Sequence, residues 1–229
     1  MNLLLLIGLP LLTAVAVLLS RNKQQVKWIA LVGSVAQLAL AFVLFFIYKH
    51  ERETGNATQM LFEQNYPLFK SLNINFHLGV DGISIAMILL TAFVVVAGVL
   101  VSWNIEKMTK EFYFLLLLLG MGAYGFFISL DLFILFFFLE ISVIPKYLLI
   151  GIWGNGRKEY SANKLALMLM GGSALILVGI LGLYFAAGRS FDIMELSKAT
   201  VSLPYQQILF PLLFVGFGVF TALFPLHTW

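Results

Sequence analysis

Apolar runs of about twenty residues, the length an α-helix needs to cross the hydrocarbon core of a bilayer at roughly 1.5 Å per residue, recur along almost the whole chain. They cover about Asn2 to Leu19, Val26 to Tyr48, Ile83 to Trp103, Phe112 to Ser129, Leu132 to Trp153, Asn163 to Ala187 and Gln206 to Leu226. The fourth and fifth runs almost merge around Ser129 to Asp131, and two helices with a minimal turn fit the bilayer where one continuous helix does not. With 61% hydrophobic and 11% charged residues, the composition is that of an integral membrane protein rather than a water-soluble domain. Lipid cannot hydrogen-bond a backbone, so each run is expected to be a helix. The predicted fold class is all-α, a polytopic transmembrane helix bundle of about seven spans.

Basic residues set the expected topology. Arg21, Lys23, Lys27, Lys107, Lys110, Arg157, Lys158 and Lys164 crowd the short loops after the first, third and fifth runs. Lys49, Arg52, Lys70, Arg189 and Lys198 are spread over longer connections on the other side. The positive-inside rule then makes the first set cytoplasmic and puts the N-terminus outside. The first run has no basic residue ahead of it, so it reads as a retained helix rather than a secretory signal. In the longest connection, Lys49 to Gly82, the alternation of Leu72, Ile74, Phe76 and Leu78 predicts a short strand. Asn56-Ala57-Thr58 matches a glycosylation sequon, a triplet common by chance. A net charge of +3, dispersed over loops, gives no basis for nucleic-acid binding. The absence of cysteine removes disulfides, thiolate metal sites and iron–sulfur clusters, so no cofactor, metal or redox centre is expected here.

Chemistry is expected in the fifth run, where Glu140 and Lys146 flank Pro145. A charge at a helix centre costs roughly 2.5 to 3.5 kcal/mol on insertion scales, and such residues usually mark routes for protons or ions. Glu140 lies about eight residues, roughly 12 Å, inside its helix end, too deep for a carboxylate to reach the surface. Lys146 lies roughly 10 Å from the other end, where a snorkelling anchor competes with a functional role. On an unbroken helix the two would stand roughly 120° apart, which rules out a simple ion pair and calls for water or another helix between them. Pro145 denies the Ile141 carbonyl its helical partner, so it is expected to kink the helix where protein or water satisfies that carbonyl. Pro225 is expected to do the same to the Thr221 carbonyl in the seventh run, with His227 just beyond as a candidate proton shuttle. Asp131 fits a helix N-cap. Gly171, Gly172, Gly179 and Gly182 read as close helix packing. No catalytic triad, phosphate loop or metal-ligand spacing is present.

Three stretches carry a resemblance: FHLGVDGIS at Phe76 to Ser84, FLEISVIPKYLLIGIWG at Phe138 to Gly154, and FPLHTW at Phe224 to Trp229. Through them the chain resembles the N-terminal half of the subunit M (chain 4) family of proton-pumping NADH:quinone oxidoreductases, respiratory complex I. The resemblance implies an antiporter-like subunit with inverted repeats. Residues 1–111 would hold three leading helices with the 49–82 loop, and residues 112–229 most of the first repeat, truncated at Trp229. It also implies proton translocation in a multi-pass protein of a bacterial cytoplasmic membrane, with paralogous antiporter-like subunits as partners. NADH and quinone would be met only through other subunits. A cation/proton antiporter or membrane-bound hydrogenase subunit is the alternative.

The family's buried glutamate falls on Glu140. Its partner lysine on the seventh helix does not carry over, because Phe220 stands at that position, while position 146, commonly methionine in the family, is lysine here. The expectation is that Lys146 supplies the missing cation from the fifth helix.

Overall fold

The computed structural model describes residues 2–55 and 58–229, so Asn56 and Ala57 of the sequon lie outside the described residues. Its helices are α1 (Leu4–Leu19), α2 (Lys23–Glu53), α3 (Gly82–Val101), α4 (Thr109–Ile128), α5 (Leu132–Ile141), α6 (Val143–Trp153), α7 (Lys158–Ala186), α8 (Ile193–Leu196) and α9 (Leu203–Phe220). Strands β1 (Leu61–Phe69) and β2 (Ile74–Val80) pair between α2 and α3. Among the described residues, six helical segments are long and apolar enough to cross a membrane, with α5 and α6 together making one of them. The 16-residue α1 is apolar but shorter.

Packing groups the chain into two compact units, residues 1–64 with 78–128 and residues 65–77 with 129–229. In the first, Val17, Val26, Ala30, Val99, Tyr113 and Leu117 form a core shared by α1, α2, α3 and α4. Helix α4 therefore packs with the three leading helices, whatever its ancestry in a repeat. Gly33 of α2 lies so close to Thr13 of α1 that a Cβ there would collide with it. Gln37 donates from Nε2 to the Leu6 carbonyl at 3.1 Å, tying the same two helices inside an apolar core.

Helix α2 runs five residues past the expected Tyr48, so Lys49 to Glu53 are helical rather than loop. Its last turn carries Arg52, whose guanidinium lies over the Tyr48 ring at 5.1 Å. Arg52 also donates to the Thr58 carbonyl at 2.6 Å and the Gln59 carbonyl at 3.2 Å. The predicted strand exists as β2, though Leu72 belongs to the 3₁₀ turn Lys70–Leu72. Its partner β1 was not visible in the sequence because Pro67 sits inside it, which only an edge strand tolerates.

In the second unit α7 and α9 touch along a row of glycines. A Cβ on Gly172 would meet Val219 at 2.9 Å, one on Gly179 would meet Leu213 at 2.6 Å, and one on Gly182 would clash with Leu209. From the α9 side, a Cβ on Gly216 would stand 2.9 Å from the Gly172 carbonyl oxygen. Gly171 departs from the expectation. It faces away, with nothing within 4 Å of a Cβ.

The end of α9 also differs from the sequence reading, which carried it to Leu226. The helix stops at Phe220 in a Schellman motif: Ala222 N–H donates to Val219 O and Leu223 N–H to Gly218 O, with Ala222 left-handed at φ 56°. Pro225 therefore lies beyond the helix and does not kink it, while the proline inside α9 is Pro211. The helix ends early because the motif satisfies its last carbonyls locally.

These contacts set three expectations for thermal unfolding of the purified chain in detergent. Gly216→Ala should destabilise by about 1–3 kcal/mol through overpacking against the α7 backbone. Gly171→Ala should be neutral or stabilising by up to about 1 kcal/mol, since alanine is the better helix former. Ala222→Gly should raise stability by about 1 kcal/mol by relieving the left-handed alanine.

Candidate functional site

The fifth span is two helices. Its first half starts at Asp131, whose carboxylate accepts from the Phe133 and Ile134 amides at 2.9 and 3.1 Å, the N-cap expected from the sequence. Helix α5 stops at Ile141 and α6 begins at Val143, with buried Ser142 between them. The Ser142 hydroxyl donates to the Leu139 carbonyl at 2.7 Å, and its amide closes a tight turn onto the same oxygen at 3.2 Å. The next backbone bond, Lys146 N–H to Ser142 O, is stretched to 3.4 Å. Pro145 falls in the first turn of α6, where its missing amide hydrogen costs least, and it is buried, as expected of a protein-facing break.

Glu140 lies just before this break and Lys146 just after it. Both are half-buried, and they interact electrostatically, though no ion pair within 4 Å joins them among the described residues. The Lys146 ammonium is held over the Phe220 ring, 6.0 Å from its centroid. The contact places the ammonium against an aromatic side chain at the end of α9. The cation on the fifth span thus stands beside the residue at position 220 of the seventh.

Packing explains the meeting. Val143, Leu165, Leu169 and Val219 form a core from α6, α7 and α9, with Phe220 against it. The close approach of Gly172 to Val219 brings their chain neighbours, Ser173 and Phe220, into the same region. Ser173 lies near enough to the Glu140 carboxyl group to influence it. Its hydroxyl also donates to the Met170 carbonyl at 3.0 Å. One carboxylate oxygen of Glu140, Oε1, is buried and has no hydrogen-bond partner among the described residues, a costly arrangement for an ionised group.

His227 is not part of this cluster. It is exposed and stacks on Phe224 with ring centroids 5.6 Å apart. Pro225 lies in the same turn after α9, outside any helix. Sequence reasoning missed Ser142, between two apolar helices, and Ser173, inside one. Ser142 stood two residues after Glu140, and that proximity was the available signal.

A second group of ionisable side chains was also missed. His77 Nδ1 lies 2.6 Å from Asp192 Oδ2, and both residues are buried. Asp192 caps α8 by accepting the Met194 and Glu195 amides at 2.7 and 3.3 Å. Among the described residues, no group of three or more histidine, cysteine or acidic side chains is arranged to hold a metal ion.

Residues 129–229 match the family described as NADH:quinone oxidoreductase/Mrp antiporter, transmembrane. NAD(P)H-quinone oxidoreductase chain 4 3 of Picosynechococcus sp. is 36% identical over 228 residues, which cover 98% of this chain and 41% of that protein. The fold is similar to a chain of respiratory complex I from Thermus thermophilus with bound NADH, at TM-score 0.86 and 23% identity, covering 100% of this chain and 46% of the other. It is also similar to a chain of the Mrp complex from Dietzia sp., at TM-score 0.82 and 14% identity, covering 25% of that chain. The chain spans about two fifths of the length of the curated relatives it matches. By its sequence likeness to chain 4 over 98% of its length and the match of residues 129–229, the chain belongs to the NADH:quinone oxidoreductase/Mrp antiporter family.

Proposed function

We propose that this chain is a proton-translocating part of a membrane-embedded NAD(P)H:quinone oxidoreductase, in which Glu140 and Lys146 exchange influence over one proton. The observation that carries the reading is the placement of the Lys146 ammonium over Phe220, within electrostatic range of Glu140. Opposite charges within electrostatic range favour each other's ionised form, so protonation of either residue alters the hold of the other on its proton. A carboxyl with one buried, unpartnered oxygen is suited to gaining and losing a proton. Ser173 supports both states. It accepts from a neutral Glu140 while donating to Met170, or turns its hydroxyl toward the ionised carboxylate.

The chain carries no redox centre of its own and works with other antiporter-like membrane subunits, while NADH and quinone react elsewhere in the assembly. The basic loops after α1, α3 and α6 face the cytoplasm of a bacterial cell and the N-terminus lies outside. Pro145 keeps the helix open beside Glu140, and His227 and Pro225 are assigned to the turn after α9 rather than to the Glu140–Lys146 pair. A second reading, exchange of a cation for protons, is favoured by the fold likeness to the Mrp chain.

Proton pumping per quinone reduced, measured in membrane vesicles from cells carrying the assembled complex, tests the pair. Lys146→Met and Glu140→Gln should each lower it by the share of protons carried through this chain, with quinone reduction by the assembled complex still measurable. Adding Phe220→Lys to Lys146→Met should restore it, because the cation returns to the same place from the other helix. Unchanged pumping in Lys146→Met would reject the role, and pumping that requires sodium would favour the antiporter reading.

A further inference from the structure

We propose that His77, Asp192 and Asp131 form a shared proton-binding site at the Asp131 end of α5, separate from the Glu140–Lys146 pair and independent of its role. Three segments remote in sequence build it: the hairpin tip, the first turn of α5, and the stretch leading into α8. Asp131 and Asp192 face each other across an isolated antiparallel bridge, closed by Leu132 N–H to Phe191 O at 2.9 Å and Ile193 N–H to Leu130 O at 2.8 Å. The two residues are 1% and 8% exposed, and their carboxylates are close enough to repel. Backbone amides satisfy most of their oxygens: Phe133 and Ile134 on Asp131 Oδ1, Asn75 on Oδ2, Met194 and Glu195 on Asp192 Oδ1. The fourth oxygen, Asp192 Oδ2, meets the His77 imidazole.

Amide hydrogens are not exchanged in a proton-binding step, so the mobile protons of this cluster belong to the imidazole and the two carboxyls. Two ionised carboxylates beside a neutral imidazole would bury two negative charges, and a single added proton halves that charge. Burial holds Asp131 above the ordinary carboxylate range despite the Asn75, Ile134 and Phe133 amides that pull it down, and the Asp192 charge adds to the rise. The other charges on these segments, Glu63 and Lys70 on the hairpin and Arg189, Glu195 and Lys198 around α8, belong to exposed residues. On α5 the nearest is Glu140, nine residues on and roughly 13 Å along the axis. From α7, the neighbouring titratable group is Tyr184, which stacks on Phe191 with ring centroids 4.3 Å apart.

The same residues fasten the hairpin to α5. Leu130 N–H donates to His77 O at 2.8 Å, and Asn75 N–H to Asp131 Oδ2 at 3.1 Å. Any proton bound here more tightly in the fastened state than in the released one strengthens the fastening, by linkage. Proton occupancy therefore sets how firmly the hairpin tip holds the first turn of α5.

The test uses the full chain, histidine-labelled and reconstituted in lipid nanodiscs, with the His77 imidazole followed by NMR against pH and assigned by its loss in His77→Gln. Asp192→Asn should change the His77 midpoint more than Asp131→Asn does, because Asp192 touches the imidazole directly and Asp131 acts across the bridge. Asparagine caps helices about as well as aspartate, so both variants keep their caps. Hydrogen exchange at the Leu130 amide should vary with pH through the same range in the unmodified chain and lose that dependence in His77→Gln. A His77 midpoint unmoved by both asparagine variants, or Leu130 exchange with the same pH dependence in His77→Gln, would overturn the site.

Discussion

The close approach of α7 and α9 is the constraint on which the Glu140–Lys146 site depends. Inside a bilayer there is no hydrophobic driving force between helices, so association relies on van der Waals contact, and contact at this range requires residues without side chains. Gly172, Gly179 and Gly182 on one helix, with Gly216 on the other, let Val219, Leu213 and Leu209 settle against bare backbone. Only at that separation can a side chain from α6 reach across to Phe220 while its carboxylate partner stays near Ser173. Charge placement in this chain is thus a product of glycine placement.

The break in the fifth span follows from a similar economy. Pro145 cannot donate a helical hydrogen bond, and Ser142 turns its own hydroxyl back to Leu139, so the helix restarts instead of bending smoothly. The restart frees Glu140 and Lys146 from the angular relation of a single helix. Glu140 then lies near Ser173 of α7 and Lys146 over Phe220 of α9.

Much of this was legible in the sequence, for reasons that differ by feature. Helical spans announced themselves by length and hydropathy, the Asp131 cap by a short acidic residue before an apolar run, and the strand over Ile74–Val80 by alternation. Glu140 and Lys146 stood out because charge inside lipid is costly. Less could be read where local chemistry competes. The end of α9 was placed six residues late because the left-handed Ala222 carries no glycine to mark it. Gly171 looked like its neighbour Gly172, but adjacent helix positions point roughly 100° apart, and only one can face α9. Strand β1 was masked by Pro67. The His77–Asp192 contact joins residues 115 apart, which no local pattern encodes.

Helix α2 ends in an arrangement with a wider consequence. Arg52 sits on its own helix's Tyr48 and grips the carbonyls of Thr58 and Gln59, so the chain leaving the helix is fixed again just ahead of β1. A connection counted as more than thirty residues in sequence is thereby tied back to α2 just ahead of its first strand. In a chain without cysteine, one guanidinium performs the fastening that a secreted protein would assign to a disulfide.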